Sequence, residues 1–216
     1  MAESERPRGE TRPGSSDDPH AKRTQEVLCA AIRTFAMQGF AAADVQEIAD
    51  QAGVGKGTVY RRFNSKEGLF LATVEYARQS LLKELDQAVN ASTCPLEQIR
   101  VGIHIFITFF DTHPEVVELL IQERAHFRGR QKPTFFDERP KENEKWIALF
   151  ARLVEEGVMS KRPVELIDEA ICNFAFGTVF LNYFAGRKKP LAQQSQELFE
   201  VLFNGLLTKP VETSPA

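Results

Sequence analysis

The stretch from Asp44 to Leu69, DVQEIADQAGVGKGTVYRRFNSKEGL, constrains the fold of this chain more than any other. Val45, Ile48 and Ala49 recur at i, i+3 and i+4, the spacing of one apolar helical face. Asp44 is placed to cap that helix, and Glu47 three residues on completes a capping box. Ala52-Gly53-Val54 then supplies a small residue, a residue free to take positive φ, and an apolar anchor. Two short helices crossing steeply need such a turn between them. The second helix, about Lys56 to Arg62, turns Val59 and Phe63 inward. It leaves Lys56, Thr58, Tyr60, Arg61 and Arg62 for an outer surface. The pattern is a helix-turn-helix, and its second helix has the form that enters a DNA major groove.

These residues resemble the TetR family of bacterial transcriptional regulators. The resemblance is carried by Gly39-Phe40, Ile48-Ala49, Ala52-Gly53-Val54, Lys56-Gly57-Thr58-Val59-Tyr60, Phe63 and Ser65-Lys66-Glu67, and it runs from Lys22 to Leu71. Two positions depart from the family pattern. Gly55 stands where Ser is usual, which weakens the cap of the second helix. Ala43 stands where Thr is common, which removes a phosphate-contacting hydroxyl. The resemblance implies an all-α chain: a three-helix helix-turn-helix DNA-binding domain joined to a helical ligand-binding and dimerisation domain. The expected segments are a tail over 1–17, the DNA-binding domain over 18–65, the effector and dimerisation domain over 66–208, and a tail over 209–216. Expected DNA contacts are Gln46, Lys56, Gly57, Thr58, Tyr60, Arg61, Arg62 and Lys66.

Charge is distributed in keeping with this division. The whole chain carries a formal net charge of -3, yet residues 19–66 hold seven Lys/Arg against four Asp/Glu, and residues 67–216 hold 17 against 21. A basic head on an acidic body suits local phosphate contact. Cys29, Cys94 and Cys172 are odd in number and far apart, which suggests reduced thiols rather than a disulfide framework or a zinc site. No run of about 18 apolar residues and no apolar leader are present, so the expected location is cytoplasmic, with no membrane partner.

In chain order, the first 17 residues have the Pro, Gly, Ser and charge content of a solvated tail, although Arg6, Arg8 and Arg12 would suit a minor-groove arm. Asp18–Gln38 reads as a first helix stopped by Gly39. Ser65 is an N-cap for a helix over about Lys66–Asn90, whose start belongs with the head. Its second half, from Tyr76, belongs with the body. In the family this helix is the lever that transmits ligand binding. Further helices are expected over Leu96–Thr112, Pro114–Arg128, Lys141–Met159, Pro163–Ala185 and Pro190–Leu207, with Gly129–Pro140 as a loop.

Thirteen of the 17 phenylalanines follow residue 100. Helices this apolar need a large core, a partner or a cavity. The expected effector pocket is lined by His104, Phe109, Glu123, His126, Trp146, Phe150, Asn173 and Phe176, with Phe106, Phe110 and Phe180 as further lining candidates. That set suits a lipophilic or aromatic small molecule. The expected homodimer interface uses Phe174, Thr178, Leu181 and Asn182 on one helix and Leu198, Val201, Leu202, Gly205 and Leu206 on the next. The leading function is a ligand-responsive transcriptional repressor released from a palindromic operator on double-stranded DNA. An activator with the same head, or a protein-interaction scaffold, are the alternatives. No nucleophile-elbow, phosphate-loop or HExxH motif occurs, and Asp111-Thr112-His113 offers an acid and a base without a nucleophile. The four histidines lack chelating spacing. No enzymatic activity, cofactor or metal is expected.

Overall fold

The computed structural model describes residues 19–137, 139–186 and 189–205. The two expected tails, with Arg6, Arg8 and Arg12, lie outside those residues, as does Leu206. Among the described residues every regular element is a helix: α1 (Pro19–Ala42), α2 (Val45–Gln51), α3 (Lys56–Phe63), α4 (Lys66–Asn90), α5 (Pro95–Thr112), α6 (Pro114–His126), α7 (Thr134–Asp137), α8 (Arg139–Glu155), α9 (Val164–Ala185) and α10 (Leu191–Asn204). None is long and apolar enough to cross a membrane.

Helices α1 to α3 form the head, and α4 runs from it into the body. Gly39 interrupts α1 with φ 80° and ψ 155°, a conformation open to glycine. The amide of Gln122, on α6, bridges the break. Its Oε1 accepts from Phe40 N at 2.8 Å and its Nε2 donates to Phe35 O at 2.9 Å. Gln122 is itself buried, so α6 is locked to the head by hydrogen bonds as well as by packing. Phe40 packs its ring 5.2 Å from Phe70 and 5.1 Å from Phe127. One apolar cluster therefore runs from Phe35, Ile48 and Val59 through Leu69 and Phe70 to Phe110, Val117 and Leu119 of the body. A second cluster, built on Ile99, Ile103, Ile107, Phe150, Leu153 and Leu191, holds α5, α8, α9 and α10 together.

Several local expectations are corrected. Glu47 closes no capping box. It accepts instead from Gln38 Nε2 at 2.6 Å and from Gln51 Nε2 at 3.2 Å, while Asp44 caps α2 through Gln46 N. Tyr76 sits beside the head, its hydroxyl 3.8 Å from Cys29 Sγ on α1. The expected loop over 129–140 contains α7 and the start of α8. Glu123 Oε1 accepts from both Thr134 N (2.8 Å) and Thr134 Oγ1 (2.7 Å), which fixes the start of α7. Pro140 falls in the first turn of α8, where its missing N–H costs nothing. That helix stops at Glu155 rather than Met159. Gly157 takes φ 72°, with Gly157 N on Val154 O and Val158 N on Leu153 O, the paired bonds of a Schellman ending.

Candidate functional site

Two regions are candidates: the outer surface of the head and an apolar cavity in the body. In the head, Val45, Ile48 and Ala49 bury one face of α2, and Val59 buries one face of α3. Gly53 makes the turn at φ 66°, and Val54 N closes back on Ala49 O at 3.0 Å. With Val59 fixed inward, Gly57, Thr58, Tyr60, Arg61 and Arg62 are left exposed, and Lys56 is half-buried. Gly55 caps α3 without a side-chain hydrogen bond, as the absence of a hydroxyl there implies. Ala43, by contrast, is buried in the apolar cluster.

The cations differ in what holds them. Lys56 Nζ pairs with Asp44 Oδ1 at 3.2 Å, tying the start of α3 to the cap of α2. Asp44 is held below the ordinary carboxylate range first by the Gln46 N–H and then by Lys56. Lys66 Nζ donates to Ala41 O at 3.0 Å and lies 5.2 Å over the Phe40 ring. Gln46 is exposed, with Nε2 on Asp50 Oδ1 at 2.7 Å. Arg61 and Arg62 line a groove of about 640 Å³ that also takes in His20, Arg23 and Thr24 from the start of α1. A Cβ built on Gly57 would meet nothing within 4 Å. Packing inside the chain therefore gives no reason for a glycine in the first turn of α3, where alanine is the better helix former.

The body contains a cavity of about 140 Å³ lined by α4 (Arg78, Leu81, Leu82, Leu85), α5 (Ile99, Gly102, Ile103, Phe106), α7 (Phe135, Phe136), α8 (Asn143, Trp146, Phe150) and α9 (Asp168, Ile171, Cys172, Ala175, Phe176). Trp146 lies flush on α5. A Cβ on Gly102 would stand 2.4 Å from its Cη2, so only glycine lets the indole form that wall. Polar groups are few and engaged. Arg78 is buried and grips Glu75 through Nε (2.8 Å) and Nη2 (2.6 Å). Burial pushes the Glu75 carboxyl up, but the hydrogen bonds from Arg78 and Gln79 outweigh it and leave it below the ordinary range. Asn143 Nδ2 donates to Asp168 Oδ2 at 2.7 Å, and Cys172 Sγ lies 3.7 Å from Asp168 Oδ1.

Of the eight residues expected around a pocket, Trp146, Phe150 and Phe176 line this cavity, and five do not. His104 Nδ1 is 2.8 Å from Ser195 Oγ and joins α5 to α10. Phe109 is buried and stacks on His113 at 4.3 Å. Glu123 is buried beneath Thr134, with Arg130 Nη1 at 3.7 Å. His126 is exposed beside the Phe40 ring, and Asn173 is exposed on α9. Of the three further candidate phenylalanines, Phe106 lines the cavity, while Phe110 and Phe180 do not. The α4 residues and Asp168 escaped the sequence reading. Glu75 and Arg78 at i, i+3 were the one available sign that a charge there is paired rather than solvated.

On the far side of the body, α9 and α10 leave large apolar side chains open to solvent. Phe174 is 49% exposed, Leu181 69%, Phe184 68% and Val201 38%. Leu198 and Leu202 are half-buried behind them, and Gly205 ends α10 at φ 77°. Thr178 Oγ1 bonds back to Phe174 O, and Asn182 exchanges two 2.8 Å bonds with Gln194. His113, the base of the Asp-Thr-His triplet, is occupied at the end of α5, 2.9 Å from Thr112 Oγ1.

Comparison with known proteins gives this geometry a context. A family model described as bacterial regulatory proteins, tetR family, matches residues 27–73. The chain is 31% identical over 120 residues to the HTH-type transcriptional activator FasR of Mycolicibacterium smegmatis, a match covering 53% of this chain and 55% of FasR. It thus spans about half the length of that relative. It is 27% identical over 194 residues to the HTH-type transcriptional repressor KstR2 of the same organism, covering 86% of this chain and 91% of KstR2. Among solved structures, the transcriptional regulator FadR from Bacillus subtilis in complex with stearoyl-CoA superposes with a TM-score of 0.67 at 18% identity, covering 85% of this chain and 99% of that one. At that identity the likeness speaks for the fold.

Proposed function

We propose, from the premise that this chain belongs to the TetR family of bacterial transcriptional regulators, that it is a homodimeric repressor released from a palindromic operator by a lipophilic effector. One observation carries the DNA-binding half of this reading. Helix α3 is anchored by buried Val59 and turns an exposed face of Thr58, Tyr60, Arg61 and Arg62, with Lys56 at its start, to the outside. Lys56, Thr58 and Tyr60 contact DNA from that face. Gly57 lets the backbone approach it, Gln46 reaches from α2, and Lys66 and the Thr58 hydroxyl hold phosphates. Successive helix positions point about 100° apart, so at most one of Arg61 and Arg62 reads a base. An Arg bidentate to guanine discriminates by roughly 1–3 kcal/mol.

The exposed apolar residues of α9 and α10, Phe174, Leu181 and Val201, support pairing of two copies through that face, with Thr178, Asn182, Leu198, Leu202 and Gly205 completing it. Two-fold symmetry in the protein then matches a palindromic operator with half-sites about 34–36 Å apart per helical turn. The cavity is the effector site, and its aromatic and aliphatic walls suit an apolar ligand. A relative solved with stearoyl-CoA agrees with that chemistry.

Coupling runs through α4. Its first turns are buried in the head at Leu69, Phe70 and Val74, and Arg78, Leu81, Leu82 and Leu85 line the cavity. Its 25 residues span about 37 Å at 1.5 Å per residue. A tilt of about 5° at the cavity end therefore moves its head end by about 3 Å, enough to put one head out of register. A binding titration on selected DNA tests the reading. The wild type should bind with steep salt dependence, and Lys56→Ala with Tyr60→Ala should abolish binding. Equal affinity in the double variant would overturn the assignment of α3. A lipophilic effector that tightens DNA binding would overturn release as the response.

A further inference from the structure

The cavity has a neighbour. A groove of about 630 Å³ opens on the body surface, with an apolar floor that includes Leu120, Phe136 and Phe180 and with Arg124 and Arg128 beside it. Phe136 lines both the groove and the cavity. Its ring lies 5.2 Å from Phe176 and 5.8 Å from Phe135. The two spaces thus share one phenyl wall. The cavity alone is small: an apolar cavity of about 150 Å³ takes a benzene-sized molecule. A ligand much longer than that has to extend out of it, and the groove lies just past Phe136.

The arginines indicate what the outer end of that ligand is. Arg124 is in the last turn of α6 and Arg128 in the turn beyond it, and both are exposed. Among the described residues neither guanidinium has an ion pair or hydrogen bond, a state they share with other exposed arginines such as Arg33 and Arg162; what sets these two apart is the apolar groove they border. A cation in the last helical turn gains from the helix dipole. That accounts for Arg124, but Arg128 lies past the helix end. Two free guanidinium forks at the edge of an apolar groove match a phosphate, which each can bind through paired hydrogen bonds.

We propose that the effector is an amphipathic anion, with its apolar tail in the cavity, its middle passing Phe136, and a phosphate-bearing head held in the groove by Arg124 and Arg128. This rests on the reading of the cavity as the effector site. It also places the head at the end of α6, the helix whose Gln122 clamps the Gly39 break.

Trp146 is the chain's single tryptophan and lines the cavity, so its fluorescence reports entry of the tail. The full chain is titrated with dodecyl phosphate and with dodecanol, both below aggregation, since they share a tail and differ in the anionic head. Wild type should bind dodecyl phosphate about tenfold more tightly than dodecanol, with the gap shrinking between about 50 and 500 mM salt. In Arg124→Gln with Arg128→Gln the gap should fall below about threefold while dodecanol affinity stays unchanged, which also shows that the variant is folded. Equal affinities in wild type, or a gap that survives the double variant, would overturn the head site and leave the cavity reading standing. Failure of both probes to perturb Trp146 would overturn both. Co-sedimentation with phosphatidic-acid vesicles that is lost in the same variant, without a dodecyl phosphate preference, would assign the arginines to a membrane surface and overturn the proposal.

Discussion

Gln122→Leu is the substitution that most sharply separates packing from hydrogen bonding at the junction of head and body. The wild-type amide makes three bonds: from Phe40 N at 2.8 Å, to Phe35 O at 2.9 Å and to Glu118 Oε1 at 3.1 Å. Glu118 in turn accepts from Tyr183 of α9 at 2.8 Å. Leucine fills about the same volume, so the cavity penalty is small. The cost comes from stranded polar groups. A buried donor left unpaired costs about 1–3 kcal/mol. The Phe35 carbonyl adds less, because a carbonyl has a second lone pair to satisfy. Burying a fourth carbon in place of the amide returns about 1 kcal/mol. A net loss of roughly 0.5–3 kcal/mol follows. Urea unfolding followed by far-ultraviolet circular dichroism and by Trp146 fluorescence measures it directly. DNA affinity should fall as well, because the Gly39 break fixes how the end of α1 meets α2. A variant within about 0.5 kcal/mol of wild type would show that apolar packing alone holds the junction and that the bridge carries no weight.

Other outcomes can be checked with equal economy. Gly57→Ala should stabilise the head by about 0.5–1 kcal/mol, because α3 loses a glycine where a Cβ meets open space, and yet should weaken DNA binding. Improvement in both would remove Gly57 from the DNA surface. Gly102→Ala drives a Cβ against Trp146, which has to give about 1 Å to regain ordinary contact. Stability should drop by about 1–3 kcal/mol, with a shifted emission maximum and weaker binding of alkyl probes. Asp44 has its carboxyl held below the ordinary value of about 3.9. Its contribution is therefore present above that value and is lost as pH falls through the lower folded-state value. Melting curves between about pH 5 and pH 2.5 should fall more steeply for wild type than for Asp44→Asn, and identical profiles would count against the Lys56 pair.

The head was legible because its determinants are local. Val45, Ile48, Ala49, Gly53 and Val59 lie within a few turns of one another, and periodicity plus one glycine fixes how they pack. The same kind of reasoning missed what distant segments decide. His104 sits on an apolar helix, and its partner, Ser195, lies 91 residues on, beyond the reach of local periodicity. Glu123 Oε1 is taken by Thr134, in a segment whose sequence reads as loop. Phe109 and Phe150 have the same helical periodicity in sequence, yet one faces His113 and the other the cavity. Gly157 could have been read as the end of α8, since a glycine followed by an apolar residue is the Schellman pattern. Arg78 had no sequence signal strong enough to place a cation in a cavity wall.

Selection of binding sites from a randomised DNA pool by the full chain separates a two-headed reader of a palindrome from a single-headed one. The full chain should enrich one palindrome with half-sites a whole number of helical turns apart, with two chains bound per site, and the Lys56→Ala, Tyr60→Ala variant should enrich none. Enrichment of an unrepeated sequence by a single chain, or of the same palindrome by the variant, would contradict it.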